Sequence, residues 1–212
     1  GYYIHDGAHY WADGTALYKD GQKIGDVENS EKVFASLGKY IVIWPDKLVY
    51  HTLEGTLEAV EKSWTGAAKI QDGTYLDVEA AANTIQASGV DFADYFRPGD
   101  AVTISGATVH EKNNTSIIIR EVDGDELRFY ENSFVIEEGG DSEAALTISR
   151  EAPDMDFLCE NENRLWGCKG DTIFSSKLGD PFNWNCFDGL ATDSYSVDVG
   201  SEGDFTGAVS YL

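Results

Sequence analysis

Tyr40-Ile-Val-Ile-Trp44, then Pro45-Asp46-Lys47, then Leu48-Val-Tyr50 is the stretch on which the fold turns. β-branched and aromatic residues favour extended backbone, and a Pro-Asp-Lys interruption between two such runs reads as a tight turn. The segment therefore predicts strand, turn, strand. The same figure returns at Arg164-Leu-Trp166, Lys169-Gly170-Asp171, Thr172-Ile-Phe174, and more weakly at His9-Tyr-Trp11, Asp13-Gly14, Ala16-Leu-Tyr18.

Aligned, the three copies form an internal repeat. Tyr18 to Tyr50 is a step of 32 residues, the length of a propeller blade with short loops. Tyr50 to Phe174 is a step of 124, and Gly55 to Gly179 keeps that offset. One blade accounts for about 40 of those residues. The rest predicts an insertion, which composition places between Trp64-Thr-Gly-Ala-Ala and Ser149-Arg-Glu-Ala-Pro153. Within the repeat, Trp44 and Trp166 precede Tyr50 and Phe174 by six and eight residues, so they are expected to match only to within a strand step.

The insert carries its own strand signals. These are Ala101–Ser105, Ser116–Val122, Glu126–Tyr130 and Ala144–Ser149, with a Pro-Gly turn at Phe96–Asp100 and a hairpin turn at Asp123-Gly-Asp125. Asp91–Phe96 reads as one helical turn. Asp77 could cap a short helix through Ala82, although Thr84-Ile85 fits a strand equally well. The fold class is thus all-β: partial propeller-like antiparallel blades over 1–64 and 151–212, interrupted by a small β-rich barrel or sandwich over 65–150. Two and a half blades do not close a ring. The chain opens at Gly1 and stops at Tyr211-Leu212 inside what reads as a strand, so a piece of a longer polypeptide is expected.

Fifteen Lys and Arg stand against 38 Asp and Glu, a net charge of −23 spread along the chain. Such a surface repels phosphates and anionic membranes, which argues against a nucleic-acid clamp or a membrane partner. No apolar run approaches the roughly 18 residues of a membrane helix. Cys159, Cys168 and Cys186 are odd in number and lack a C-x-x-C pair, so buried free thiols are expected rather than a zinc knuckle or disulfide framework.

Candidate chemistry is sparse. His5 and His9 have an H-x-x-x-H spacing, but Gly7 and the flanking aromatics favour strand and turn, where that spacing no longer aligns two ligands. His51 and His110 have no recognisable nucleophile nearby, and Glu137-Glu138 with Asp141 and Glu143 reads as a solvated acidic loop. No catalytic, cofactor-binding or metal-binding residue is assigned, and the protein is not expected to be an enzyme. The most specific string is Ser175–Asn185. With Trp166 it supplies a structural motif of Trp166, Gly179, Asp180, Pro181 and Trp184. Gly179 permits a positive φ, Pro181 sets a turn, and Trp184 and Phe187 are expected to plug the gap between blades.

Asn163–Cys168, Asp171–Ser176 and Leu178–Asn185 together resemble a blade pattern of bacteriophage and prophage tail proteins, of the tail nozzle, hub and packaged-DNA-stabilisation type. Asp188–Tyr195 and Val199–Gly207 look like the start of a next blade. In the insert, Phe96-x-x-Gly-Asp-x-Val-x-Ile-Ser-Gly106 with Glu131–Phe134 looks like an extra domain of prophage relatives. The resemblance covers most of residues 31–212 and rests on structural motifs. It implies a structural tail component, made in a bacterial cytoplasm and located in the virion, with other tail or head-tail proteins as partners and a homo-oligomeric ring in the full-length protein. DNA would then be at most non-sticking cargo in an acidic conduit, lined by residues such as Asp180, Asp188, Asp193 and Asp198. The alternative is a carbohydrate- or receptor-binding module in which Trp11, Trp44 and Trp64 stack on sugar. Burial of those rings would favour the structural reading.

Overall fold

The computed structural model describes residues 1–200 and 202–210. The strand expected at Tyr211-Leu212 lies outside them. The chain is all-β and divides into two compact units, residues 1–60 with 152–212, and residues 61–151. The boundary expected at 64/65 lies inside the strand Lys62–Tyr75 of the second unit, and that at 150/151 at the end of the strand Asp141–Arg150. No helix among the described residues is long and apolar enough to cross a membrane.

The first unit opens with two four-stranded antiparallel meanders. Sheet 1 contains β1 (Tyr2–His5), β2 (Ala8–Asp13), β3 (Ala16–Lys19) and β4 (Gln22–Asp26). Sheet 2 contains β5 (Val33–Leu37), β6 (Tyr40–Trp44), β7 (Leu48–His51) and β8 (Thr56–Ala59). Two-residue loops join most neighbours. Asp6-Gly7 and Asp20-Gly21 have positive φ at both positions, as hairpin turns matching the strand twist require.

The second unit is one seven-stranded sheet in the order β12-β11-β15-β9-β10-β14-β13. Its strands are β9 (Lys62–Tyr75), β10 (Val78–Gln86), β11 (Ala101–Ser105), β12 (Ser116–Ile118), β13 (Glu121–Asp123), β14 (Glu126–Arg128) and β15 (Asp141–Arg150). Asp77 caps no helix, because Val78–Gln86 pairs with β9 (Ile85↔Ile70), and tertiary pairing overrides the helix preference of Ala80–Ala82. Phe92–Asp94 is a single 3-10 turn, capped by the Asp91 carboxylate accepting from Ala93 N.

Ser116–Val122, read as one strand from sequence, is two. Its first part pairs with β11 (Ala101↔Ile118) and its second with β14 (Glu121↔Arg128), at opposite edges of the sheet. Between them Ile119 N donates to Asp100 O (2.9 Å) and Arg120 N to Arg128 O (2.9 Å). One continuous run thus joins both edges, and the sheet curls around a core that includes Ile70, Ile85, Phe92, Ile104, Phe129 and Leu146.

Entry and exit of this unit are neighbours, since Lys62 pairs with Arg150. Its core draws only on residues 64–148, and the cores of the first unit draw on none of these. Directly opposed Cα atoms lie about 5 Å apart. Replacing 61–151 by a short Gly-Ser linker is therefore expected to leave the remainder soluble and antiparallel by circular dichroism. Tm should move by less than about 8 °C. An aggregated product would show that the units depend on each other.

The first unit ends in sheet 3: β16 (Phe157–Asn161), β17 (Arg164–Lys169), β18 (Thr172–Ser175) and β19 (Tyr195–Asp198). Tyr195, at the end of the Asp188–Tyr195 stretch, opens β19, which pairs with β18 and completes this sheet rather than starting a further blade. The first hairpins close at His5↔Ala8, Leu37↔Tyr40 and Asn161↔Arg164. That register makes Tyr10, Val42 and Trp166 equivalent, and likewise Ala12, Trp44 and Cys168. Trp44 and Trp166 share a face one strand step apart. The next hairpin does not account for this, since Leu48 and Thr172 each follow the first residue of the preceding strand (Tyr40, Arg164) by eight. Sheets 1 and 3 close it at Asp13↔Ala16 and Lys169↔Thr172, with two residues between, whereas sheet 2 closes at Ile43↔Leu48, with four.

Alternation along β6 then explains the packing. Ile41 and Ile43 face back onto Tyr10 and Leu17 of sheet 1. Val42 and Trp44 face forward and cluster with Leu158 and Leu165 of sheet 3 and with Trp184. An apolar run without polar alternation is what a strand buried on both faces requires. In both junctions the face carrying Tyr10 or Val42, the forward face, meets the face carrying Ile41 or Leu165, the backward face.

Candidate functional site

Two end faces of this three-sheet series, the backward face of sheet 1 and the forward face of sheet 3, meet no further sheet among the described residues. The backward face of sheet 1 carries Tyr2, Trp11 and Tyr18 in one rung, and Ile4 opposite His9 in another. Trp11 stacks on Tyr18, with ring centroids 5.4 Å apart and planes 13° apart. The Tyr2 hydroxyl meets His9 Nδ1. Tyr2 is 59% and Ile4 55% exposed. The next rung of this face carries Asp13 and Asp26 on either side of Ala16.

The forward face of sheet 3 carries Cys159, Trp166, Cys168, Ile173, Tyr195 and Val197. Trp166 stacks on Tyr195 (6.2 Å, 12°), and its Nε1 donates to Asn161 O (3.2 Å). Residues 205–210 cross this face, held by Phe205 N to Gly170 O (2.8 Å) and Ser210 Oγ to Asn161 Oδ1 (3.1 Å). They leave a groove of about 510 Å³ between Trp166, Ile173, Phe205 and Val209.

The other motif residues organise the connection over 176–194. Gly179 has φ +72° in open space. Asp180 accepts from Phe182 N (2.8 Å) and Asn183 Nδ2 (2.6 Å), an Asx-type turn set up by buried Pro181. Trp184 Nε1 donates to Pro181 O (3.0 Å), and its ring lies 5.7 Å from that of Trp44. Trp184 thus plugs a junction as expected. Phe187 does not: it is exposed, because the chain has already turned outward beyond buried Cys186. Buried Arg164 binds the connection to sheet 3 by donating to Ser176 O (2.8 Å), Ala191 O (2.7 Å) and Asp193 O (2.5 Å).

Asp193 is buried and cannot line a lumen. Burial opposes its ionisation, but donation from Leu190 N, Gly189 N and the Cys186 thiol outweighs this and holds its carboxyl below the usual range. Asp188 and Asp198 are exposed, and Asp180 is half-buried. The three cysteines are free. Burial raises all three thiols, that of Cys186 to about 11, so they are held as neutral, unreactive thiols. Of the three tryptophans considered for stacking on sugar, Trp44 is 1% exposed and Trp64 packs edge-on against Phe92. Only Trp11 lies on an open face.

Sequence reasoning missed one constellation. Asp141 and Glu143 are buried, not part of a solvated loop. Asp141 Oδ2 pairs with His110 Nδ1 (2.7 Å), and Asp141 Oδ1 accepts from Glu137 N (2.9 Å). Glu143 accepts from Thr108 N (2.9 Å), Thr108 Oγ1 (2.7 Å) and Val109 N (3.0 Å). Burial alone would raise Glu143, and these bonds bring it below its ordinary value. The i,i+2 placement on β15 was the available signal. Both carboxylates staple the 107–113 loop, and no group of three His, Cys, Asp or Glu among the described residues is placed to hold a metal ion.

Comparison with family models, with curated proteins and with solved structures returned no match.

Proposed function

We propose that this chain is a structural component of a phage tail or tail-like assembly, acting by face-to-face stacking of its sheets. One observation carries the reading: the two end faces of the three-sheet series are aromatic and of the same kinds as the faces already paired inside the chain. The blade-like string around Trp166–Trp184 supports the tail assignment, through its resemblance to tail proteins. A carbohydrate- or receptor-binding module is the second reading. The flat Trp11–Tyr18 platform favours it, while burial of Trp44 and the packing of half-buried Trp64 on Phe92 count against two of its three rings.

The test is location. Particles from an induced lysogen of the source bacterium, separated on a density gradient, should contain peptides of this chain at a fixed ratio to tail proteins. A chain found only outside the particle fraction would overturn the proposal.

A further inference from the structure

We infer that copies of this chain associate head to tail, the backward face of sheet 1 of one copy seating on the forward face of sheet 3 of the next. This rests on reading the open faces as assembly surfaces and names the partner as a second copy.

The interface type is already present twice within one chain. Tyr10 and Leu17 on the forward face of sheet 1 meet Ile41 and Ile43 on the backward face of sheet 2. Val42 and Trp44 on the forward face of sheet 2 meet Leu165 on the backward face of sheet 3. In register terms Trp11 is the equivalent of Ile43, and Trp166 the equivalent of Val42. The backward face of sheet 1 and, beneath residues 205–210, the forward face of sheet 3 are therefore the two halves of a third such junction, and a second copy supplies both. Because the halves differ, the contact is heterologous, and each copy that docks presents a fresh face of each kind.

Two features set the strength. Four strands of four to six residues present a face of roughly 15 by 19 Å, at the small end of protein interfaces, so association is weak and concentration-dependent. Copies each carrying a net charge of −23 repel one another. Salt shortens the reach of that repulsion from about 10 Å at 0.1 M to about 3 Å at 1 M, while the faces themselves are aromatic. Association should strengthen as salt rises, opposite to an interface held by ion pairs. Residues 205–210 lie across the sheet 3 face, tied to it by Phe205 N to Gly170 O and Ser210 Oγ to Asn161 Oδ1, so docking displaces them.

Sedimentation of the 212-residue chain from micromolar to millimolar concentration, at low and high salt, tests this. The weight-average mass is expected to climb above 23.2 kDa with both variables and to pass the dimer. Trp11→Glu and Trp166→Glu should each stay monomeric alone and form a 1:1 dimer when mixed, since each retains the half the other lacks. Truncation after Glu202 should associate at several-fold lower concentration. A wild-type chain that remains monomeric throughout overturns the inference. So does Trp166→Glu associating as the wild type does, which indicates a symmetric sheet 1 contact. Circular dichroism of both variants guards against misfolding, and Tyr18→Glu serves if Trp11→Glu fails to fold. A monomeric chain still found in tail particles would sink this inference and leave the proposed function standing. An associating chain absent from particles would do the reverse.

Discussion

Trp44→Ala is expected to destabilise the first unit by about 3–5 kcal/mol, as for other buried aromatic truncations, a large share of the roughly 5–15 kcal/mol that holds a domain together. The ring is 1% exposed and shares a cluster with Val42, Met155, Leu158, Leu165 and Trp184. Alanine there leaves a cavity at the junction of sheets 2 and 3. The indole carries a second cost. Its Nε1 is buried and meets no hydrogen-bond partner among the described residues. Trp44→Phe keeps most of the packing and removes that orphan donor, so it should lose far less than the alanine variant. Urea midpoints of the two variants provide the measurement. Equal losses would mean that ring volume at this site is not what holds the junction.

Removing the guanidinium of Arg150 should cost the second unit about 3–5 kcal/mol at neutral pH, the usual penalty for stranding a buried charge. Arg150 and Asp100 are each 1% exposed, with Arg150 NH1 2.6 Å from Asp100 Oδ2. Asp100 also accepts from Arg97 N (3.1 Å), and its carbonyl accepts from Ile119 N, so the pair sits where the sheet curls closed. Burial already raises the Asp100 carboxyl despite its cationic neighbour. In Arg150→Met that carboxylate loses the closer of its two cationic neighbours, with Arg97 Nε still 3.6 Å from Oδ1, and the loss should be partly rescued by acid. The double variant Arg150→Met, Asp100→Leu should recover most of the loss, because an apolar pair replaces both charges. Additive losses across this cycle would show that the two side chains are not energetically coupled.

Much of the first unit was legible in its sequence because hairpins are local. Tyr18, Tyr50 and Phe174, aligned by pattern alone, each occupy the third residue of the third strand of a sheet. Gly and Asp at the turns and β-branched and aromatic runs between them suffice for that. The motif around Gly179–Trp184 was legible for the same reason: an Asx turn closes over three residues. Phe187 was misread because nothing local tells which side of a long connection a ring will face.

What the chain determined by itself was therefore the list of strands, the turns between neighbours, the repeat and the acidity, each of which depends on residues a few positions apart. Tertiary structure decided the rest. It split Ser116–Val122 between two sheet edges, because curling brought β11 and β14 to the same run from opposite sides. It buried Asp141 and Glu143, which look like surface acids until unpaired amides at 108, 109 and 137 need acceptors. It also decided which aromatic faces meet a neighbour and which stay open. Ile43 and Trp11 hold equivalent positions in the repeat, and only the presence of a sheet on one side makes the first core and the second surface.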